Sequence, residues 1–290
     1  MYFTHWRSFQ AVALEGSFTG AAKRLDRSQP TITRQVIDLE QAFGVELFHR
    51  RGRQVELSAV GKALLPITER LFTTSDEAVE LLQSASGLTT GHLRVSAVNP
   101  MDVVSLISAF SKAHPGITVS LTICNSDEAL NALLDFRADV AMLASAVVDR
   151  RLSCIDFGSR PLVVYVNKDH AWADRRTMRF SELEGHKIII RERGSWTRSL
   201  FDQACDEAGL SPVVSMEINN RDAFREAVAQ GLGIGIVGEQ GLAADDRLRE
   251  IAIPDCGAMM YRQIAHLRER SDARLIRSFL DVSREIAEHM

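Results

Sequence analysis

The sequence SFTGAAKRLDRSQPTITRQVIDLEQAF, residues 17–43, decides the fold of the amino-terminal part of this 290-residue chain. It predicts two short helices joined by a tight turn. Ser17 or Thr19 is placed to cap the first helix and Ser28 to cap the second, because a side-chain oxygen there accepts a free backbone N–H. Pro30 fits the first turn of the second helix, where its missing N–H costs nothing.

The second helix has an apolar face and a polar face. Ile32, Val36 and Leu39 recur at helical spacing, so we expect them to face inward. The polar residues near the amino end then face outward: Gln29, Thr31, Thr33, Arg34 and Gln35. That end of a recognition helix meets base edges in the major groove of DNA. An ordinary helical hairpin with a polar outer face is the alternative; we adopt the DNA-binding interpretation.

A basic segment follows the helical pair. Residues 45–58, VELFHRRGRQVELS, predict a small β-hairpin with Arg50, Arg51 and Arg53 at its tip. Guanidinium groups pair bidentately with phosphate oxygens, and such contacts fix the register of a protein on the duplex. Taken alone, the arginines fit a solvated turn as well. Beside a helix–turn–helix they predict a DNA-binding wing.

Residues 1–58 resemble the winged helix–turn–helix of LysR-type transcriptional regulators, and the resemblance extends over the whole chain. It is carried by residues 9–13, 16–19, 21–22, 25, 28–30, 35–36, 39–40, 44–48, 50, 58 and 61. Gly20 departs from the pattern; we interpret it as a local weakness, since Gly costs a helix about 1 kcal/mol relative to Ala. The resemblance implies a transcriptional regulator, not an enzyme, that binds double-stranded promoter DNA as a homodimer or homotetramer. It also implies a small-molecule effector and RNA polymerase as partners.

Composition sets further limits. The formal net charge is −4, yet the first 58 residues hold eight basic and six acidic side chains. This part is only mildly basic, so DNA affinity is expected to need two or more copies. With no amino-terminal signal and no apolar run long enough to span a bilayer, we expect a soluble cytoplasmic protein that does not enter membranes.

The cysteines show no metal or disulfide pattern. Cys124, Cys154, Cys205 and Cys256 are widely scattered, without a C-x-x-C pair. We therefore expect no metal, and we interpret the four as buried thiols in a reducing compartment.

Residues 59–86 predict a long helix that begins after Ser58 and ends at Gly87. At 1.5 Å per residue it spans roughly 42 Å. Its apolar residues alternate in threes and fours, as in a coiled-coil seam: Leu64, Ile67, Leu71, Ala78 and Leu81, with Thr74 between. The resemblance implies that this linker helix packs antiparallel against its twin in a dimer. A connecting helix packed on its own chain is the alternative.

From residue 91 onward strands alternate with helices, which predicts parallel sheets wrapped by helices. Strands are expected at 92–98, 117–123, 140–144, 162–166, 187–190, 213–217, 233–237 and 259–267, and helices at 102–113, 126–136, 196–208, 220–230 and 271–288. The result resembles the periplasmic-binding-protein fold of the family's effector domain. Half-domain I comprises about 91–160 and 267–290, and half-domain II about 161–266. The chain is thus an α/β protein with a helical winged head, a linker helix and an effector domain from residue 88.

The run Gly233-Ile234-Gly235-Ile236-Val237-Gly238 matches the dinucleotide fingerprint G-x-G-x-x-G. That fingerprint requires the glycines between a strand and a helix. Here they follow a predicted helix and alternate with apolar residues, which favours a strand, and no cofactor is expected.

Effector-binding residues are predicted at helix and strand ends. Ser195, Trp196 and Thr197 open a helix, whose free N–H groups bind anions; capping by Ser195 is the simpler interpretation. Across a cleft, strand ends are expected to place further residues: Asn99, Met101, Asp102, Asn125 and Ser126. Asp102 either caps its helix or receives an ammonium group. A zwitterionic or anionic effector is therefore expected.

Three short sequence segments indicate which effector is expected. Residues 91–95, 125–126 and 191–195 resemble the subgroup associated with aminoethylphosphonate breakdown, which implies 2-aminoethylphosphonate as the effector. Two alternatives stay open: a redox-sensing regulator of the same family, and a small-molecule enzyme on a binding-protein fold. The enzyme would leave residues 1–58 without a role.

Overall fold

A computed structural model describes residues 2–51, 54–85, 90–144, 149–239 and 241–287. The α-helices are α1 Phe3–Glu15, α2 Phe18–Arg24, α3 Gln29–Phe43, α4 Ala59–Ala85, α5 Pro100–Ala113, α6 Ser126–Leu134, α7 Trp196–Ala208, α8 Arg221–Ala229 and α9 Arg274–Ala287. The strands are β1 Phe48–Arg51, β2 Gln54–Leu57, β3 Gly91–Ala97, β4 Ile117–Ile123, β5 Val140–Leu143, β6 Leu152–Asn167, β7 Lys187–Arg191, β8 Val213–Ile218, β9 Ile234–Gly238, β10 Leu248–Ala252 and β11 Met259–Leu267. The chain forms two compact units: a head (Met1–Thr89 with Asp135–Arg137) and an effector domain (Thr90–Leu134 with Ala138–Met290).

The head is a helix–turn–helix with a β-hairpin. Phe9, Ile32 and Val36 are fully or almost fully buried in one apolar core. Both predicted caps form: Ser17 Oγ accepts from Gly20 N at 3.0 Å, and Ser28 Oγ accepts from Thr31 N at 3.3 Å. Helix periodicity and capping in the sequence therefore specified the head correctly.

A tight contact joins the wing to α4. Ser58 Oγ accepts from Gly61 N at 3.0 Å and donates to the carbonyl of Glu46 at 2.6 Å. A Cβ on Gly61 would lie 2.2 Å from the carbonyl oxygen of Leu47, so only glycine fits. The predicted helix end at Gly87 lies outside the described residues.

The described strands of the effector domain form one sheet. The strand order is β4-β3-β5-β11-β6-β9-β7-β8, with β10 paired to β6. β3 pairs in parallel with β4 and β5, and β7 with β8 and β9, whereas β6 and β11 run antiparallel to each other. The α/β architecture predicted from the alternating elements is confirmed.

Two strands run through both halves of this domain. β6 extends from Leu152 to Asn167 and pairs with β11 from Met259↔Pro161 to Leu267↔Leu152. The sequence predicted only 162–166 for β6, because the earlier part alternates polar and partly buried side chains. Separate apolar cores lie around α5 and α9 in one half, and around α7 in the other.

An ion cluster pins the carboxy-terminal segment to half-domain I. Asp139, just before β5, accepts from Arg94 of β3 and from Arg270 after β11, each at 2.7 Å. Both Asp139 and Arg270 are buried. Burial alone would raise the pKa of Asp139, but hydrogen bonds from Arg94 and the charges of Arg94 and Arg270 outweigh it and lower the pKa.

The cysteine prediction is wrong at one position. Cys205 is buried and Cys124 and Cys256 are partly buried, but Cys154 is exposed. It shares a strand face with Asp156, which is also exposed, because alternate residues of a strand point to the same side. Partial loss of water around its sulfur raises the pKa of Cys154, although the residue as a whole is exposed, and burial raises that of Cys205 to about 12.

The glycine run forms strand β9. A Cβ on Gly235 would lie 2.6 Å from Val228 and 2.9 Å from Phe224 of α8, so close packing of helix on sheet requires the glycine. Within the described residues, no helix is both long and apolar enough to cross a membrane.

Candidate DNA-binding surface and effector site

The polar face of α3 is open at its amino end. Thr31 is exposed, and the Arg34 side chain is 75% exposed. Arg34 Nε lies 2.9 Å from Asp38 on the same helix, a pairing that costs little to break in favour of a phosphate or base. Thr19 Oγ1 of α2 lies 3.5 Å from Gln29 Oε1, so α2 contributes to the same surface.

Gln35 points the other way. It accepts a hydrogen bond from the buried Ser8 hydroxyl of α1. The prediction that Gln35 faces outward is therefore wrong: its position borders the apolar face of α3, and the neighbouring helix supplies a donor. Thr33 is partly buried.

Gly20 is a close-packing residue and not a weakness. A Cβ there would lie 2.8 Å from Ser17 Oγ, the oxygen that caps α2. A larger residue would therefore displace the cap.

Two of the three wing arginines belong to a described strand of the hairpin. Arg50 and Arg51 belong to β1, whose residues pair with Val55 and Gln54 of β2. Arg53 lies outside the described residues. The predicted hairpin thus exists, with a basic tip in the sequence.

The predicted dimerisation residues do not share one environment. Leu64 packs against the core of the head, and Leu71 is partly buried. Ile67 is 59% exposed, and the exposed residues of α4 further along include Ala78, Val79 and Leu82. The side chain of Leu81 lies outside the described residues.

The starts of α6 and α7 contact each other in the effector domain. Ser126 Oγ accepts from Trp196 N at 3.3 Å, and the carbonyl of Gly194 accepts from Asp127 N at 3.2 Å. Asn125 caps α6, since its Oδ1 accepts from the backbone N of Glu128 at 2.9 Å. The structure therefore brings Asn125, Ser126 and Trp196 together, but Ser126 already uses one free N–H of α7.

Ser195 makes no side-chain capping bond, so the simpler interpretation of that residue is wrong. It is buried. Thr197 Oγ1 lies 3.6 Å from the sulfur of Met260. The indole N–H of Trp196 is buried without a partner among the described residues.

A cavity lies where β3, β5 and β9 end, at the position where open α/β sheets bind ligands. We call it the arginine cavity. The empty space of the cavity and the open solvent at its mouth together measure about 410 Å³. Its polar and charged lining residues are Asn99, Asp102, Arg160, Arg221, Glu239 and Arg262.

Asp102 is surrounded by positive charge. Its carboxylate lies 3.5 Å from Arg262 Nη1 and 3.6 Å from Arg160 Nη1, and it accepts from Asn99 Nδ2 at 3.0 Å. Two arginines thus contact the carboxylate that was expected to receive an ammonium group. Asn99 caps α5 through Met101 N, and Met101 itself is exposed.

Arg221 begins α8 and donates to the carbonyl of Gly241 at 2.6 Å. Among the described residues, no carboxylate lies within ion-pair distance of it. Burial, with the charge of Arg191 nearby, lowers the pKa of Arg221 to about 10, so the group stays cationic at neutral pH.

Sequence reasoning missed all three arginines of the cavity. Arg221 follows β8 at a helix start, a signal of the kind used for Asn99 and Asn125. Arg160 and Arg262 carry no such signal, because they lie within the strands β6 and β11. The register of the pairing between β11 and β6 shifts between Tyr261 and Gln263, so Arg262 lies at this irregularity. Such irregularities change the direction of a side chain.

Fold and site together define a DNA-binding transcriptional regulator with an effector-binding domain. The chain belongs to the LysR family: residues 3–62 match the family model "Bacterial regulatory helix-turn-helix protein, lysR family", and residues 86–288 match "LysR substrate binding domain".

Curated relatives of the chain are transcriptional regulators. The transcriptional activator CmpR of Synechocystis is 31% identical over 85% of this chain and 82% of its own length. The RuBisCO operon transcriptional regulator of Allochromatium vinosum is 28% identical over 93% of this chain and 90% of its own length.

Solved structures share the fold. CbnR, a LysR family transcriptional regulator, has a TM-score of 0.72 at 24% identity, over 99% of both chains. The regulatory domain of Synechocystis CcmR, solved in complex with 2-PG, has a TM-score of 0.64 at 23% identity, over 69% of this chain and 99% of that domain.

Proposed function

We propose that this regulator binds promoter DNA as a homodimer or a dimer of dimers, through the amino end of α3 and the wing. The observation that carries the proposal is the exposed polar end of α3, with Arg34 tied only to its own helix. Base and phosphate contacts are assigned to Ser17, Thr19, Ser28, Gln29, Pro30, Thr31, Thr33, Arg34, Arg50, Arg51 and Arg53.

The dimer is proposed to form along α4. Isolated exposed apolar residues are ordinary, but Ile67, Ala78 and Leu82 recur along one long helix. CbnR has also been solved in complex with its target DNA, which supports the DNA-binding role of this fold. Because the proposed partner is chromosomal DNA, we place the protein in the cytoplasm and assign it no catalytic role.

The effector site is proposed to be the cleft between the half-domains, including the arginine cavity. The CcmR domain with 2-PG supports binding of a small molecule by this fold. A redox sensor is less well supported, since burial raises the pKa of Cys205 and Cys256 and so disfavours the reactive thiolate.

Selection of duplexes from a random DNA pool by the full-length protein tests the DNA-binding proposal. A dimer on two half-sites should enrich a dyad-symmetric sequence, and the half-site spacing should match one helical turn or a multiple of it. Enrichment of no sequence, or of a single site without symmetry, would contradict the proposal.

A further inference from the structure

The arginine cavity offers more hydrogen-bond donors than acceptors. Each guanidinium has five N–H donors. Arg262 Nη2 donates to the carbonyl of Phe157 at 2.6 Å, and Arg221 donates to Gly241. Arg262 Nε is buried and has no partner among the described residues. Arg160 makes no described side-chain bond beyond its pairing with Asp102. Unused buried donors are costly, so the cavity favours a ligand rich in acceptors.

The charge of the lining is positive. Among the described residues that line the cavity, three arginines face two carboxylates, those of Asp102 and Glu239. The Arg160 and Arg262 side chains are only 21% and 17% exposed, so water screens their charge incompletely. A ligand that brings negative charge is therefore preferred over a neutral or cationic one.

Asp102 holds the arginines loosely. Its contacts of 3.5 and 3.6 Å are much longer than the roughly 2.7–2.9 Å of a good charge-assisted hydrogen bond. Asn99 keeps the carboxylate close to its own helix α5 instead. Contacts this long leave the same guanidinium groups able to bond more closely to a ligand oxygen.

We propose that the effector is a small oxyanion whose oxygens bind Arg221, Arg262 and Arg160, and that Asp102 is an internal counter-ion which the effector displaces. This inference rests on the proposed effector site. It assigns ligand recognition to arginine side chains, with the amino end of α7 left to its contacts with α6.

The location of the arginines explains how such a ligand would change the contact between the two half-domains. Arg160 and Arg262 lie on β6 and β11, the strands that run through both half-domains, and Arg221 begins a helix of half-domain II. Asp102 lies in the first turn of α5 in half-domain I. Replacing Asp102 by a ligand oxygen therefore changes the contact between α5 and the two connecting strands.

Calorimetry on the full-length protein tests the inference with four probes: inorganic phosphate, succinate, ethylphosphonate and 2-aminoethylphosphonate. At least one should bind, and Arg221→Gln should weaken that binding about tenfold or more, as expected for the loss of a charge-assisted hydrogen bond. Arg176→Gln is the matched control, because Arg176 is exposed and outside the cavity; it should bind as the wild type does. Binding of none of the four, or unchanged affinity in Arg221→Gln, would overturn the inference.

The variant Asp102→Asn shows whether Asp102 acts as an internal counter-ion or binds the ligand itself. Removing the internal competitor should tighten oxyanion binding, and ethylphosphonate and 2-aminoethylphosphonate should bind about equally well because Asp102 does not receive the amine. Tighter binding of the amine compound that is lost in Asp102→Asn would refute the counter-ion role. Ser195→Ala should leave affinity unchanged; a loss there would assign the anion to α7.

The same samples are tested for DNA binding and for their melting temperature. A folded protein that shifts its selected duplex but binds no oxyanion contradicts this inference alone. A folded protein that binds an oxyanion but selects no DNA contradicts the proposed function and leaves the cavity assignment standing.

Discussion

The DNA-binding head and the arginine cavity present the same chemical group in opposite surroundings. In the head, Arg34 is 75% exposed and pairs with a residue one turn away. In the cavity, Arg160 and Arg262 are largely covered and come from distant parts of the chain. A charge pair at 4 Å is worth about 1 kcal/mol in water and about 4 kcal/mol near a protein surface. The head must therefore act through many weak contacts, whereas the cavity needs only a few.

The largest expected difference is in the unfolding free energy that is lost when a buried or a more exposed aspartate is replaced. Asp139→Asn leaves Arg94 and Arg270 without their shared carboxylate and should cost about 3–5 kcal/mol of unfolding free energy. Asp38→Asn removes only an exposed pair with Arg34 and should cost less than about 1 kcal/mol. Denaturant unfolding measures both; equal effects would contradict the contrast.

The same pair gives a pH dependence. Because the folded state lowers the pKa of Asp139, its stabilisation is present above the ordinary carboxyl pKa and is lost as pH falls through the lowered value. The difference between wild type and Asp139→Asn should thus be full at neutral pH and shrink below about pH 4.

Assembly should depend on the exposed face of α4. Ile67→Glu places a charge where an apolar partner is expected, and should raise the dimer dissociation constant about tenfold or more, since burying an unpaired charge is costly. Lys62→Glu, on a different exposed face, is the control. Sedimentation that shows the same oligomer in both variants would exclude this face as the main interface.

Two helix starts should respond differently to loss of a serine. Ser28→Ala removes an observed capping bond of α3 and should cost about 1 kcal/mol. Ser195→Ala removes no capping bond from α7, so it should cost less than Ser28→Ala. Equal losses in thermal unfolding would show that Ser195 has a partner of its own.

Local signals predicted most of the fold. The bounds of α7, β4 and β11 agree with the sequence to the residue, because caps, glycine stops and apolar periodicity act within a few positions. β10, Leu248–Ala252, was missed, since this strand is only five residues long and its adjacent charged residues Arg249 and Glu250 break the apolar alternation. The head was predictable for the same local reasons.

The effector site was predictable only in part. Asn99 and Asp102 do line the arginine cavity, as strand-end residues should. Arg160 and Arg262 meet there only because β11 pairs with the first part of β6, from Leu152 to Pro161, with an irregularity at Arg262. Such a contact depends on residues about a hundred positions apart in the sequence, so no local sequence pattern predicts it. The contacts of Asp102 with Arg160 and Arg262 depend on the same long-range pairing.

The salt dependence of DNA binding tests the central claim most directly. Fluorescence anisotropy would measure the affinity of the full-length protein for its selected duplex between about 50 and 200 mM salt, where phosphate contacts give a steep linear fall of log K with log salt. Arg34→Ala should weaken binding to the selected duplex by about 1–3 kcal/mol, and Arg51→Ala should weaken all duplexes alike and reduce the slope by about 1. An affinity that does not depend on salt concentration, or that is the same in both variants as in the wild type, would contradict the assignment of α3 and the wing to DNA binding.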